Sequence, residues 1–498
     1  MDQLKITKKN ETFLYIETDP GIEMELTEHF CFFVPGYKFM PAYRNKYWDG
    51  KIRLFDTRKK TLYVGLYKYL KQFCLERGYE VLTDDSAQYG SVEPEKLPLD
   101  FRRAPVLTAN QIPITPRDYQ LDALEHALQN EKSLLLSPTA SGKSLIIYLA
   151  ARWYIENDSS MKILIIVPTI SLVEQMYSDF EDYSSTDEHF HMDEYSHKIH
   201  GGIPKGQKLF HRIVISTWQS IYKKPASWFQ SYGMVIGDEA HQFKAKSLTA
   251  IMEKCTEAKY RIGTTGTLDG TQTHQLVLEG LFGPVHKVTT TKDLIDSDQL
   301  AKLDIKMLLL KYKEEHCKEI SKLKYQDEID FIVRYTPRNN FISNLAIDQT
   351  GNTLILFNYV EKHGKPLHNI LKEKLKGKKR KLFYVSGETD VDTRESVRTI
   401  TEKEDNAIIV ASLGTFSTGI NIRNLHNLIF ASPSKSQIRV LQSIGRGLRK
   451  SNRDTQVFDI ADDLHWKAKK NYTLEHAAER IKIYSKEKFD YELFEINI

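Results

Sequence analysis

Cysteine is scarce in this chain: four residues among 498, Cys31, Cys74, Cys255 and Cys317, with no CxxC spacing between any of them. That excludes a disulfide framework and a thiolate zinc site, and it suits a reducing compartment, so a cytoplasmic location is expected. Long apolar runs are missing too; none approaches the roughly 18 residues of a membrane span. The opening stretch MDQLKITKKNETFLYIE holds no apolar signal region. An excess of one charge is also lacking, since 70 basic and 66 acidic residues leave a net +4, so composition alone names no partner. No short-period repeat is visible. What remains, 41% hydrophobic and 27% charged, is ordinary for a globular protein. At about 100–200 residues per domain the length suggests about three domains.

The most informative stretch is LLLSPTASGKS, Leu134 to Ser144. An apolar run, a small-residue loop and then Lys-Ser opening a further apolar stretch is the arrangement whose backbone amides converge on phosphate oxygens at a helix N-terminus. In the GxxxxGK[ST] pattern Lys143 reaches the outer phosphates and Ser144 places its hydroxyl on Mg²⁺, with Thr139, Ala140, Ser141 and Gly142 forming the cradle. The first glycine of the pattern is replaced by Ser137, which is tolerable where its φ stays negative.

Around this loop, short and almost continuously apolar strands alternate with amphipathic helices: LLLS, KILIIVP, RIVIST, MVIGDEAH and YRIGTTGT, then TLILF, KLFYVSG, AIIVAS, NLIFASP and QVFDI. Such strands indicate parallel sheets covered on both faces, hence an α/β fold with two such domains in tandem. The spacing predicts helices over Ser144–Glu156 and near Ser171–Tyr183. The expected domains are residues 1–104, ending in the charged, proline-bearing SVEPEKLPLDFRRAP; 105–295; 296–465; and a basic amphipathic helical tail, 466–498, whose Leu474, Ala477, Ile481 and Ile483 favour docking on a neighbour.

MVIGDEAHQ ends a buried strand in two adjacent carboxylates, placed where side chains emerge beside a phosphate loop at the sheet's carboxyl edge. Asp238 would hold Mg²⁺ through its water shell, and Glu239 would orient and deprotonate the attacking water. Read alone, Asp-Glu is more readily an acidic strand end at a solvent-facing turn. Arg446 and Arg449 stand three apart, so on a helix they share one face, either a solvated basic face or a pair entering a cleft. His189, His191, His197 and His200 lack accompanying metal-ligand spacing and read as surface residues.

With RDYQ, PTASGKS, VPTISLVEQ, STWQS, DEAH, TTGT, SLGTFSTGINI and QSIGRGLRK in that order, the stretch from Ile112 to Asp463 resembles the superfamily 2 helicases and translocases. The resemblance implies two RecA-like domains with ATP held between them. It implies that Arg117 and Gln120 read the adenine edge, that Gly419 adds to the nucleotide site, and that Arg446 and Arg449 are arginine fingers active only on closure. Thr265, Thr267, His241 and Gln442 would couple the nucleotide to the nucleic acid. Pro168, Thr169, Gly201, Gly202, Thr217 and Gln219 in the first domain, with Ser386, Gly387 and Thr415 in the second, would grip the phosphate backbone, since a motor indifferent to sequence cannot depend on base edges.

The N-terminal segment Gly36–Lys60 carries eight Lys or Arg against two Asp, with six aromatics interleaved. Lys38, Arg44, Lys46, Lys51 and Arg53 would neutralise phosphates and Trp48 could stack on bases. Alternatively, the aromatics form a small hairpin core under a solvated basic face. YRNKYWDGKIRLFD, the loop lacking its first glycine and IGRGLR together resemble the bacteriophage UvsW-type helicases, which implies a DNA-binding N-terminal α+β domain and ATP- and Mg²⁺-dependent work on branched DNA in the host cytoplasm: junction migration, fork regression and R-loop or D-loop unwinding. The expected state is a monomer without membrane contact. An RNA helicase or an ATP-switched branched-DNA clamp stays open. Removing residues 1 to about 103 is expected to weaken junction binding more than basal ATPase.

Overall fold

The computed structural model describes the chain except residues 1–2, 85–100, 102–103, 158–159, 202–210, 269, 420–421, 423, 433–435, 437–439, 442 and 446–453. Two compact units emerge: residues 1–288 without the stretch 138–141, and residues 289–498, with which that stretch groups.

The first unit is built on a seven-stranded, wholly parallel sheet in the order Ser196–Ile199, Ile213–Thr217, Lys162–Val167, Tyr232–Asp238, Tyr260–Thr265, Lys132–Leu136, Val285–Lys287. Burial on both faces explains why these strands are nearly unbroken apolar runs: Ile163 to Ile166 and Met234 to Ile236 are fully enclosed. The helix Lys143–Asn157 is likewise apolar around most of its circumference, and Leu145 through Arg152 are all buried. The helix Ile170–Ser184 follows the third of the listed strands, opened by Thr169, whose hydroxyl accepts the Leu172 N–H at 3.3 Å.

Residues 3–83 form a four-stranded sheet, ordered Thr61–Tyr63, Phe13–Glu17, Gln3–Lys8, Glu80–Thr83, with helices Pro20–His29 and Tyr67–Arg77. This α+β module has no core of its own: one apolar cluster runs from Leu4, Leu14, Leu26 and Leu66 into Val235, Phe243 and Phe282 of the large sheet's surroundings. Polar ties cross the same boundary. Lys132, its side chain only 1% exposed, meets Glu11 at 2.7 Å; Tyr63 donates to Glu253 at 2.7 Å; and Tyr69 donates to Glu279 at 2.5 Å. The enclosed Arg261 guanidinium donates to the Thr12 hydroxyl and to the carbonyls of Cys255, Met252 and Leu281 at 2.7–3.0 Å. Residues 1–104 are therefore a lobe of the first unit as much as a domain.

The second unit repeats the design with the order Leu382–Val385, Ile408–Ser412, Thr353–Phe357, Asn427–Phe430, Thr455–Asp463, Leu303–Lys311, Tyr491–Asn497, again all parallel. Arg338, with no exposed surface, grips Asp462 through two bonds of 2.6 and 2.9 Å. The C-terminal region supplies the expected helix, Tyr472–Lys486, docked through Ala477 and Ile483. Beyond it the chain adds an edge strand that the sequence reading did not foresee, Tyr491–Asn497 beside Leu303–Lys311. Among the described residues no helix is long and apolar enough to cross a membrane.

Candidate nucleotide and nucleic-acid site

Strand order decides which motifs meet. In the first sheet the strands ending at Leu136, Thr265 and Asp238 are neighbours, so the phosphate loop, TTGT and DEAH emerge together at one carboxyl edge. The strands ending at Val167, Thr217 and Ile199 form the other half of the same edge. One sheet thus carries the candidate nucleotide residues on one half and the candidate strand contacts on the other.

Ser137 solves the missing-glycine problem by extending the strand: its N–H donates to Thr265 O at 2.9 Å and its φ is not positive. The positive φ values fall later, at Ala140 (66°) and Gly142 (81°). At Ala140 that is backbone strain of the kind that persists where surrounding structure enforces it. Gly142 is required twice over, since an added Cβ would lie 2.2 Å from the Gln120 amide nitrogen. Ser141 Oγ closes the loop on Pro138 O at 2.7 Å, and Lys143 Nζ folds onto Ser137 O at 3.2 Å.

Gln120 lies against this loop with 3% exposure. Its Oε1 accepts the Arg117 N–H at 2.9 Å and its Nε2 approaches Gly142 O at 3.5 Å, while Arg117 donates to the Tyr119 hydroxyl at 2.8 Å. The helix Asp118–Asn130 thus begins against the loop.

Asp238 is almost enclosed, accepting from Thr264 Oγ1 at 2.8 Å. Burial and the adjacent Glu239 push its pKa up, against the pull of Lys143 and the Thr264 hydrogen bond. Glu239 sits in the left-handed region at φ 50° and directs the chain into the single turn Ala240–Gln242. His241 Nδ1 lies 3.1 Å from Thr265 Oγ1 and 3.3 Å from Glu239 Oε2. Thr265 has one hydroxyl proton and gives it to Thr267 O at 3.0 Å. The proton toward His241 must then come from Nδ1, which fixes the tautomer and lets one N–H serve both the carboxylate and TTGT. Glu239, His241, Thr265 and Thr267 form a single connected line.

Two members of this site escaped sequence reasoning. Thr264 could have been found, because parallel register sets it opposite Asp238. Tyr183 carried no signal; its hydroxyl lies 2.8 Å from Ser144 Oγ. Were Ser144 to coordinate a cation through its lone pairs, its proton would point elsewhere, and the Tyr183 oxygen is placed to accept it. Changing Tyr183 to Phe is expected to weaken Mg²⁺-ATP binding about fivefold, the worth of one hydrogen bond. Titration with a fluorescent ATP analogue checks it; unchanged affinity removes Tyr183 from the site.

At the other half of the edge, Val167 and Thr217 pair in register, so Pro168, Thr169 and Thr217 stand side by side, with Gly201 exposed beyond the next strand. The Thr217 hydroxyl is committed to Ser220 at 2.9 Å, and Gln219 is exposed. In the second sheet Val385 and Ala411 pair, placing Ser386, Gly387 and Thr415 in the equivalent position. Ser386 Oγ accepts the Glu388 N–H at 3.3 Å and Thr415 Oγ1 accepts from Ser412 at 2.6 Å, so these residues shape the edge with their hydroxyls already engaged. Gly419 ends the helix Leu413–Gly419. Gly202, Gln442, Arg446 and Arg449 lie outside the described residues.

In the N-terminal lobe Lys38, Arg44 and Lys46 face solvent. Arg53 is exposed but paired with Asp49 at 2.5 Å. Lys51 Nζ lies 4.9 Å from the Phe33 ring centroid, and Trp48 donates to Lys51 O at 2.9 Å, so these two hold the hairpin together. Of the two readings of the segment, these contacts are those of a small hairpin core under a solvated basic face.

Comparison with known proteins finds three family matches along the chain. Residues 3–84 match the family described as "DNA helicase UvsW, N-terminal", 113–270 "Type III restriction enzyme, res subunit", and 337–451 "Helicase conserved C-terminal domain". The ATP-dependent DNA helicase uvsW of Enterobacteria phage T4 is 35% identical over 99% of this chain and 100% of its own length. The DNA 3'-5' translocase XPB2 of Sulfurisphaera tokodaii is 23% identical over 69% of this chain and 81% of its own. The crystal structure of T4 UvsW superposes with a TM-score of 0.52 at 34% identity, covering 99% of each chain. The chain belongs to the UvsW family of superfamily 2 and is an ATP-dependent DNA helicase.

Proposed function

We propose that this chain remodels branched DNA, migrating junctions, regressing forks and unwinding R-loops or D-loops during recombination, repair and replication, and that it does so as a monomer. The observation that carries the reading is the N-terminal lobe, matched to the UvsW N-terminal family and sharing one core with the unit that carries Lys143 and DEAH. A lobe so joined cannot lag behind the motor; whatever DNA it holds moves with that unit.

Lys143 and the loop amides bind the phosphates, Gln120 and Arg117 select adenine, and Ser144 and Asp238 offer hard oxygen ligands suited to Mg²⁺. Among the described residues no group of three or more His, Cys, Asp or Glu could hold a metal by itself. When bound, Mg²⁺ neutralises charge on the transferring phosphoryl group. Glu239 orients the attacking water and accepts its proton, and the His241–Thr265 line reports the occupancy of that position toward the strand-contact half of the edge. Arg446 and Arg449 of the second unit act as arginine fingers on the γ-phosphate, with Gln442 coupling them to the strand.

The test compares ATPase stimulation and strand displacement on four-way junctions, forks, plain duplex, single strands and structured RNA at one salt concentration, because affinity falls steeply with salt. Preferential work on junctions and forks is the expected result. Equal or greater stimulation by RNA overturns it, and ATPase without displacement of a third strand ahead of the protein identifies a clamp instead.

A further inference from the structure

Between the strands Cys31–Phe33 and Lys51–Arg53 the chain makes a protrusion instead of a tight turn, with a single 3₁₀ turn, Tyr37–Phe39, and a short helix, Pro41–Arg44. It is firmly built. The Tyr37 ring stacks on Phe33 at 4.6 Å and meets Tyr43 edge-on at 4.7 Å. Gly50, at φ 81°, passes so close that an added Cβ would lie 2.4 Å from the Tyr37 ring. Backbone bonds from Arg44 to Met40, Asn45 to Pro41 and Tyr47 to Ala42, at 2.8–3.0 Å, fix the turn.

With this internal packing available, two large rings are left outside it: Phe39 is 79% and Tyr47 86% exposed. Lys38, Arg44 and Lys46 flank them, and among the described residues none of the three pairs with a carboxylate. Exposed apolar rings on a rigid support mark an interaction surface, and unpaired cations around them select a polyanion. Duplex DNA keeps its base faces stacked and offers rings nothing to lie on; unpaired bases do.

We propose that Phe39 and Tyr47 stack on the unpaired bases at a DNA branch point, with Lys38, Arg44 and Lys46 holding the flanking phosphates. This rests on the branched-DNA reading and gives it a physical basis: preference for branches over plain duplex comes from rings that unpaired bases satisfy and stacked ones do not. The support is anchored to the motor, since Phe32 and Ile52 at the base pack against the shared core and Thr273 Oγ1 donates to Phe33 O at 3.4 Å.

The experiment uses the full chain and a four-way junction carrying 2-aminopurine beside the branch point. Binding is expected to change the probe's fluorescence, and the double variant Phe39→Ala/Tyr47→Ala is expected to lose that change, with junction affinity falling about tenfold or more per ring. Plain-duplex affinity and maximal ATPase at saturating DNA stay at wild-type level, and Phe39→Trp with Tyr47→Trp restores the signal. The rings are exposed, so the variants fold, and coincident melting curves verify it. If the wild type prefers junctions and the double variant keeps both preference and signal, this proposal falls alone. If the wild type shows no preference for branches, it falls together with the functional reading.

Discussion

Replacing Lys143 with Ala is expected to lower DNA-stimulated ATP turnover by about two to three orders of magnitude, while affinity for DNA stays within about twofold. The two effects separate because the residues sit on different halves of one sheet edge: Lys143 follows the strand ending at Leu136, and the candidate strand contacts follow those ending at Val167 and Thr217. Glu239→Gln provides the contrast. It preserves shape and the approach to His241, removes the base, and is expected to leave ATP binding intact while slowing hydrolysis by about 10²–10⁴-fold. Steady-state ATPase assays with and without DNA, paired with fluorescent-nucleotide titration, read both variants. Full turnover in Lys143→Ala would remove the phosphate-loop assignment, and loss of nucleotide binding in Glu239→Gln would recast Glu239 as part of the scaffold.

Much of this edge is legible in the chain because a parallel sheet buried on both faces needs continuous apolar runs, and KILIIV and YGMVIGD announce where such strands end. The residue that ends or follows such a strand lies at the sheet's carboxyl edge almost by position, which is why Asp238, Thr265 and Ser137 could be placed there before any coordinates. Long-range polar pairs leave no comparable trace. Ser144 and Tyr183 lie on consecutive helices whose facing sides are set by packing, and a helical tyrosine near a core is ordinary. Glu11 lies in the turn between two strands of the small sheet and Lys132 on a strand of the large one, and nothing local distinguishes them from solvated charges. The final strand eluded the pattern for another reason: YELFEIN is mostly exposed on a sheet edge, so Leu493 and Phe494, 50% and 41% exposed, lack the one-sided burial that gives a strand its alternation. The same blindness applies to the N-terminal lobe, whose apolar residues look sufficient for a core of their own.

Because that core is shared, a chain beginning at residue 105 is expected to aggregate or to lose cooperative melting, instead of behaving as an ATPase with weakened junction binding. Removing the lobe strips the cover from the surroundings of Val235, Phe243 and Phe282, and takes Thr12 from Arg261. An apolar face of that kind on a free monomer is an aggregation surface. A single substitution probes the same seam without that ambiguity. Glu11→Gln leaves the enclosed Lys132 ammonium without its carboxylate and is expected to cost about 2 kcal/mol or more, discounted from a fully buried pair because Glu11 is partly exposed. For a unit of this size that corresponds to a fall in Tm of about 4–8 °C near neutral pH. Burial alone would raise the Glu11 pKa, but the charge and hydrogen bond of Lys132, with those of Lys8, hold it below the usual 4.5. A carboxyl depressed in the folded state stabilises above its unfolded value and loses that contribution as pH falls through its folded one. The gap between wild type and Glu11→Gln is therefore expected to be full near neutrality and to close below pH 4.5, which calorimetry at several pH values resolves. A gap independent of pH would mean that the pair does not carry charge, and a soluble, cooperatively melting chain from residue 105 would mean that the lobe merely rests on the motor instead of completing it.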